Sequence, residues 1–312
     1  MSFSLRAKNE LARVNGRPCC RVAELAALVK TGGRLTGRDN RLTLEIGTEN
    51  AAVARKVFRL IKEVNRFAGE VSIRKHKRLN RSGYIVVVKG GKSLALALRV
   101  LGYLGNNGQL RDGIKKAVVG RDCCRRAYLR GAFLARGSLS GPGSAYHLEI
   151  PVRSELDGHD LVALMEKLGV EGRMGHRKRV PVVYIKEGEQ ISRCLSAMGA
   201  HTTLLHFENV RIYKEMRNRV NRLVNCDTAN VNKAVDAGMR QQENVKLVVE
   251  TLGLANLPSP LREVARLRLA HPDASLRELG ELARPPLTKS CVNHRMRRLE
   301  ALAEALRRER QA

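Results

Sequence analysis

The sequence predicts an α+β fold: a pseudo-twofold domain built from two copies of an αββαββα unit, then a helical connector, then an all-α helix-turn-helix domain. Three observations carry this prediction. First, "CCRVAELAALVKTGG" (Cys19 to Gly33) and "CCRRAYLRGAFLARG" (Cys123 to Gly137) share one build at an offset of 104 residues, and the same offset superimposes "LEI" at 44–46 on "LEI" at 148–150. Second, the order of apolar periodicities that follows is the same in both copies. Third, the repeat stops near residue 208, and from there only helical periods continue, closing on a basic helix.

The first helix of each copy carries small residues four apart: Ala23, Ala27 and Thr31, then Ala127, Gly131 and Ala135. A face with so little side chain lets another backbone approach closely, so the two helices are expected to cross at the pseudo-twofold axis. Strands around "RLTLEIG" and "AYHLEIPV" alternate apolar residues as a half-buried sheet does. An amphipathic helix follows, "AAVARKVFRLIKEV" or "DLVALMEKLGV". Next come basic strands, "VSIRKHKR" with Lys75, Lys77 and Arg78, and "GRMGHRKR" with Arg177, Lys178 and Arg179. An apolar strand ("GYIVVVK", "PVVYIK") and a short helix ending in "VLG" or "AMG" complete each copy. If Leu44 and Ile46 face the helices, Glu45 and its equivalent Glu149 face the open side of the sheet, where a carboxylate repels phosphate unless an arginine neutralises it.

The boundaries read from this pattern are 1–207 for the duplicated domain (halves about 1–110 and 111–207), 208–255 for the connector and 256–312 for the last domain. In the connector, Arg211, Lys214, Asn218, Arg222 and Asn225 recur on one helical face, and Tyr213, Met216, Val220 and Leu223 form an apolar stripe. The arginines and asparagines suit phosphate, although a basic face of this kind is also what a plain solvated helix presents. Gly253 stands where a C′ glycine would end the run. In the last domain Ser259 is expected to cap and Pro260 to open a helix reaching about Ala270, "SLRE" (275–278) is a capping box, and Thr288 caps a third helix. Its Val292, Met296, Leu299 and Leu302 turn inward, which leaves Lys289, Asn293, His294, Arg297 and Arg298 outward. Thr288, Lys289, Ser290, Asn293, His294, Arg297 and Arg298 lie where a recognition helix contacts DNA, asparagine suiting adenine and arginine suiting guanine. A helical partner-binding module is the competing reading of the same pattern.

Bulk properties agree with a nucleic-acid partner. Lys and Arg outnumber Asp and Glu 58 to 30, a formal charge of +28 spread along the chain. Aromatic residues are 4% with no Trp, so base stacking on single strands has few platforms and duplex is the expected partner. The N-terminal "MSFSLRAKNELARV" lacks the apolar segment of a signal peptide, and no run approaches the ~20 apolar residues of a membrane span, so a cytoplasmic, nucleoid-associated location and no membrane partner are expected. The seven cysteines are expected to stay reduced.

Two other signals are discounted. "VKGGKS" (88–93) lacks the earlier glycine of a phosphate-binding loop, having Val86 there, and reads as a tight turn with Ser93 as cap. The pairs Cys19–Cys20 and Cys123–Cys124 are read as small buried residues, since adjacent cysteines on a helix are expected to point apart and no second pair sits at finger-like spacing. No metal and no cofactor are expected.

The small-residue helices resemble the paired helices of the LAGLIDADG homing endonucleases. "LAALVKTGG" (25–33) and "LRGAFLARG" (129–137) follow that family's pattern of apolar and small positions. In those nucleases each motif ends with an acid before the final glycine, and the two acids hold the catalytic metal. The matching positions here are Gly32 and Arg136, neither of which is an oxygen ligand for a hard cation. Arg136 favours a phosphate contact instead. Over nearly the whole chain, "CCRVAELAALVKTGG", "RRAYLRGAFLARGSLS" with "YHLEI", "MRNRVNRLVNCDTAN" and "SLRELGEL" with "KSCVNHRMRRL" resemble the WhiA family of bacterial sporulation and cell-division regulators. The resemblance implies a catalytically silent LAGLIDADG-like domain joined to a sigma-region-four-like helix-turn-helix. It implies a non-enzymatic, sequence-specific DNA-binding transcriptional regulator acting in cell division, chromosome segregation and, in actinobacteria, sporulation. The partner is then double-stranded DNA at promoters, with a co-regulator or RNA polymerase as further candidates, and the chain is expected to be a monomer. The alternatives are a LAGLIDADG-type homing endonuclease or RNA maturase, and a protein-interaction scaffold.

Overall fold

In the computed structural model the two small-residue helices cross as the repeat predicts. Residues 2–37, 42–64, 70–78 and 81–311 are described, those at 76–78, 81, 82 and 311 by their backbone alone. After α1 (Phe3–Leu11), the first copy is α2 (Pro18–Gly32), β1 (Gly33–Thr36), β2 (Leu42–Thr48), α3 (Ala51–Glu63), β3 (Glu70–Arg78), β4 (Arg81–Gly90) and α4 (Lys92–Val100). The second is α5 (Asp122–Arg136), β5 (Ser138–Leu139), β6 (Leu148–Pro151), α6 (Glu155–Glu166), β7 (Arg173–Arg177), β8 (Val180–Ile185) and α7 (Gly188–Met198). Each copy is αββαββα around one antiparallel sheet, in the orders β1-β2-β4-β3 and β5-β6-β8-β7. The chain divides into two compact units, Met1–Glu215 and Met216–Ala312.

The crossing depends on missing side chains. A Cβ on Gly131 would lie 2.4 Å from the Glu24 carbonyl oxygen and 2.9 Å from the Ala27 Cβ, so only glycine allows this approach. Gly32 packs the same way near the other end, where its Cβ would stand 3.3 Å from that of Ala135. Cross-strand rows such as Leu44–Val88–Val71 face the helices. Buried inside this apolar contact are two charge clusters that the periodicity did not announce. Glu24, fully buried, sits 2.9 Å from Arg130 Nη2 and 3.2 Å from Lys56 Nζ. Lys30 sits 3.2 Å from Asp157, which Arg153 also approaches at 3.5 Å. Both clusters join one copy to the other, and burial depresses the pKa of Lys56 and Lys30 while their carboxylate partners hold it up.

At the N-terminal ends of α2 and α5 the expectation that adjacent cysteines point apart fails. The sulfurs of Cys19 and Cys20 are 4.0 Å apart, as are those of Cys123 and Cys124, and all four lie within 4.8 Å of one another. Finger-like spacing does not find this group, because the second pair arrives 104 residues later by way of the repeat.

The second unit holds the rest of α8 (His201–Leu252), then α9 (Ser259–Ala270), α10 (Leu276–Leu282) and α11 (Lys289–Gln311). α8 is one helix where a connector starting at 208 was expected. It begins at His201 because Glu10 accepts hydrogen bonds from the Thr202 and Thr203 amides at 2.7 and 2.9 Å, capping its first turn. It ends before Gly253, the C′ glycine foreseen there, whose φ of 79° is a positive value that glycine adopts without strain. Three local expectations shift. Ser93 lies inside α4, whose cap position is Gly91 without a side-chain bond, and Ser259 is the first residue of α9, one place earlier than foreseen. In α11 the fully buried stripe is Val292, Met296, Leu299 and Ala303, the period i, i+4, i+7, i+11, so Ala303 takes the innermost place and Leu302 only packs at its edge.

Candidate nucleic-acid interface

The helix-turn-helix is assembled by its polar caps as much as by its core. Ser275 Oγ accepts from the Glu278 amide at 3.3 Å and Glu278 accepts in return from the Ser275 amide at 2.7 Å, the capping box read from "SLRE". The Ser275 amide, and its hydroxyl after it, hold the Glu278 carboxyl below its ordinary pKa. A Cβ on Gly280 would stand 2.3 Å from the Leu287 carbonyl oxygen, so the turn folds tightly onto α10. Thr288 Oγ1 accepts from the Cys291 amide at 3.3 Å and opens α11. Arg268, 2% exposed, is invisible to the sequence pattern because it sits inside an apolar run; it donates to the carbonyls of Pro272 (3.2 Å) and Ala274 (2.6 Å) and to Gln241 (2.9 Å), tying α8, α9 and the loop before α10 together.

On this frame α11 turns outward the residues expected there. Thr288, Lys289, Ser290, His294, Arg297 and Arg298 are exposed and Asn293 is half-buried. Among the described residues, Lys289, Asn293, His294, Arg297 and Arg298 have no hydrogen-bond or ion-pair partner. Arg295, one residue along, differs: it is held 3.3 Å from Glu263 and belongs to the scaffold.

The candidate cations of the duplicated unit are treated less evenly. Glu149, 8% exposed, accepts from Ser138 at 3.3 Å, faces His147 at 3.2 Å and binds the Arg177 guanidinium. Burial pushes its carboxyl up, but the His147 and Ser138 bonds and the Arg177 charge outweigh that and leave the pKa below the ordinary carboxylate value. Thus Arg177 already holds an anion. Arg211 lies 3.3 Å from Glu208 and 3.7 Å from Glu215, and Lys214 donates to the Ser144 carbonyl at 3.3 Å with its ammonium 5.0 Å from the Tyr146 ring. Arg222 and Arg136 are exposed and, among the described residues, unpartnered. The apolar stripe of Tyr213, Met216, Val220 and Leu223 is exposed, Tyr213 at 73%.

Lys178 and Arg179 are not strand residues as expected. They are the two-residue turn between β7 and β8, with φ of 47° and 66°. Such a hairpin needs positive φ at both central positions, which asparagine and glycine supply cheaply and two long side chains do not. Both are exposed and unpartnered among the described residues. In the first copy Lys75 is exposed and, among the described residues, unpartnered, but alternation sets it on the face shared with Ile73 and Val86, whereas Arg74, not singled out by the sequence pattern, takes the opposite face with Ile85. Lys77 and Arg78 pair with Ser82 and Arg81, and their side chains lie outside the described residues. Arg34, likewise not singled out, stands opposite Glu45 in the β1–β2 register. Gly32 and Arg136 are the last residues of α2 and α5, so neither helix ends on a carboxylate.

Comparison with known proteins adds three domain matches: a WhiA N-terminal LAGLIDADG-like domain over residues 18–101, a WhiA LAGLIDADG-like domain over 125–217 and a WhiA C-terminal HTH domain over 220–303. A probable cell division protein WhiA of Desulforudis audaxviator is 56% identical over 306 residues, covering 97% of each chain. Its counterpart from Desulforamulus reducens is 50% identical over 312 residues, covering 98% of this chain and 97% of that one. The crystal structure of full-length DUF199/WhiA from Thermatoga maritima superposes with a TM-score of 0.59 at 26% identity, over 98% of this chain and 99% of that one.

Proposed function

The chain belongs to the WhiA family, and from that premise we propose that it is a sequence-specific, double-stranded-DNA-binding regulator of transcription that acts in cell division. The observation that carries this is the outer face of α11, where Lys289, Asn293, His294, Arg297 and Arg298 are accessible and, among the described residues, uncommitted while the residues beneath them form a buried apolar core. Desolvating a cation against a phosphate or a guanine edge is favourable when no internal anion has to be given up first. Thr288 and Ser290, at the start of the helix, supply neutral donors beside them.

Affinity common to all sequences is assigned to the exposed cations of the duplicated unit and of α8: Lys178, Arg179, Arg136, Lys75 and Arg222, with Lys77 and Arg78 in the same role. Arg177, Arg211 and Lys214 contribute less, because each already holds a partner within the chain. Glycine and arginine at the two ancestral acid positions support a reading without metal-dependent cleavage. The three-part division at 207 and 255 is retained as the working domain map. A monomer bound at promoters, a co-regulator or RNA polymerase as further partner, and a role in chromosome segregation, or in sporulation in an actinobacterial host, complete the proposal. Nucleoid association is its expected consequence, and no helix among the described residues is long and apolar enough to cross a membrane.

The test is genome-wide crosslinking of bound DNA with RNA recovery as control, run on the wild type and on a full chain carrying Asn293→Ala and Arg297→Ala. The expected outcome is discrete DNA sites for the wild type and relaxed specificity for the variant, with each base edge left unread costing about 1–3 kcal/mol of discrimination in binding assays. Identical site preference in the two proteins, or recovery of RNA in place of DNA, overturns the assignment.

A further inference from the structure

The same pair of central helices carries a second cluster at its other end. α2 and α5 have 15 residues each, so this end lies about 20 Å from Gly32 and Arg136. Here Cys19 and Cys20 meet Cys123 and Cys124, with all four sulfurs within 4.8 Å of one another. We propose that these four cysteines bind one zinc ion as a tetrathiolate that staples the two halves of the duplicated unit. The inference does not depend on the DNA-binding assignment.

The geometry points to a single soft cation. A tetrahedral zinc site with Zn–S bonds of about 2.3 Å has sulfur–sulfur edges of about 3.8 Å. The pairs within each helix stand at 4.0 Å, and the widest separation in the set does not exceed 4.8 Å, so closing the site takes only side-chain adjustment. A disulfide would need one pair at about 2.05 Å. A polynuclear iron–sulfur cluster would need the sulfurs spread further apart to enclose its irons and sulfides. Four soft donors and no hard ones match zinc and not magnesium or calcium.

The surroundings suit the charge. Each pair contributes one buried residue, Cys20 or Cys124, and one half-buried residue, Cys19 or Cys123, as the pseudo-twofold axis requires. Zinc binding displaces four thiol protons to solvent and leaves a site of net charge −2. That charge would sit at two helix N-termini, whose first-turn amides and dipoles both favour an anion. Arg17 and Arg121, the residues preceding α2 and α5, are exposed and unpartnered among the described residues, and they supply compensating positive charge. A cleft of about 460 Å³ lined by Cys19, Cys124, Val22, Val100, Lys115 and Arg121 provides the way in. A cation here joins residues 104 apart in sequence across the crossing, so its binding energy adds to the stability of the duplicated unit.

The test uses the full chain, reduced and stripped of metal, titrated with Co²⁺ and then with Zn²⁺. The expected result is one Co²⁺ per chain with the intense visible and charge-transfer bands of tetrahedral thiolate coordination, displaced stoichiometrically by Zn²⁺. Those bands should vanish in Cys20→Ser, Cys124→Ser and persist in Cys226→Ser, Cys291→Ser, whose cysteines lie outside the cluster. Because the first variant can fail to fold, a second readout uses the wild type alone: Zn²⁺ should raise its thermal unfolding midpoint by several degrees, and a chelator should reverse the shift. A weak octahedral Co²⁺ spectrum, substoichiometric binding, bands that survive in Cys20→Ser, Cys124→Ser, or a disulfide among the four in freshly isolated protein overturns the proposal.

Discussion

The two units of this chain commit their positive charge differently. In the duplicated unit, several arginines and lysines are held by carboxylates of the same chain: Arg130 and Lys56 by Glu24, Lys30 and Arg153 by Asp157, Arg177 by Glu149, Arg211 by Glu208 and Glu215. In the helix-turn-helix, Arg268 and Arg295 also have partners inside the chain, yet the outer row of α11 is left free. A cation with an internal partner must give it up before it can bind phosphate, so net charge overstates what the duplicated unit offers a polyanion. Lys178 and Arg179 at the tip of the β7–β8 hairpin, with Lys75 and Arg136, are exposed there and, among the described residues, without an internal partner.

The sharpest way to break this contrast is at Glu24. Replacing it by Gln leaves two buried cations with no countercharge, which should destabilise the duplicated unit by about 3–5 kcal/mol in denaturant unfolding. Replacing Glu24, Lys56 and Arg130 together by Leu, Met and Met should cost far less. If the single substitution is as mild as the triple one, the cluster is not paired as described.

A smaller effect is expected at the hairpin. Lys178→Ala with Arg179→Ala should weaken binding to every duplex alike and flatten the dependence of log K on log salt by about 2, close to 0.9 for each phosphate no longer neutralised. An unchanged slope would mean that the duplicated unit does not touch the DNA backbone there.

The smallest effect tests the cost of committed charge. Glu149→Gln frees Arg177 and should steepen the same slope by about 1. The substitution also carries a pH signature. Glu149 has its pKa lowered in the fold, so its stabilising contribution is complete above the ordinary carboxylate pKa and is lost as pH falls through the folded value. Wild type and variant should therefore differ in stability at neutral pH and converge in acid.

Much of this was legible from residues alone, and the reason is locality. The repeat at offset 104, the small face of Ala127, Gly131 and Ala135, the "SLRE" box and the exposed row of α11 all depend on spacing within one element or on self-similarity between two copies. Helical and strand periods report which face is buried, and capping chemistry is complete within four residues. Hence the α+β duplication and the helix-turn-helix follow from the order of residues directly.

Partnership was not legible in this way, because it joins residues far apart in the chain. Nothing near Glu24 in sequence announces Arg130 or Lys56, and "GHRKR" reads as a basic strand until the register turns Lys178 and Arg179 into a hairpin tip and binds Arg177 to Glu149. Two cysteine pairs that looked inert one at a time become four converging sulfurs only when α2 and α5 cross. Composition and period decide which charges and thiols the chain carries and which face of an element holds them. Long-range packing decides which are neutralised, which stay free and which meet, since an ion pair or a metal site requires its atoms within a few ångströms in space, whatever their separation along the chain.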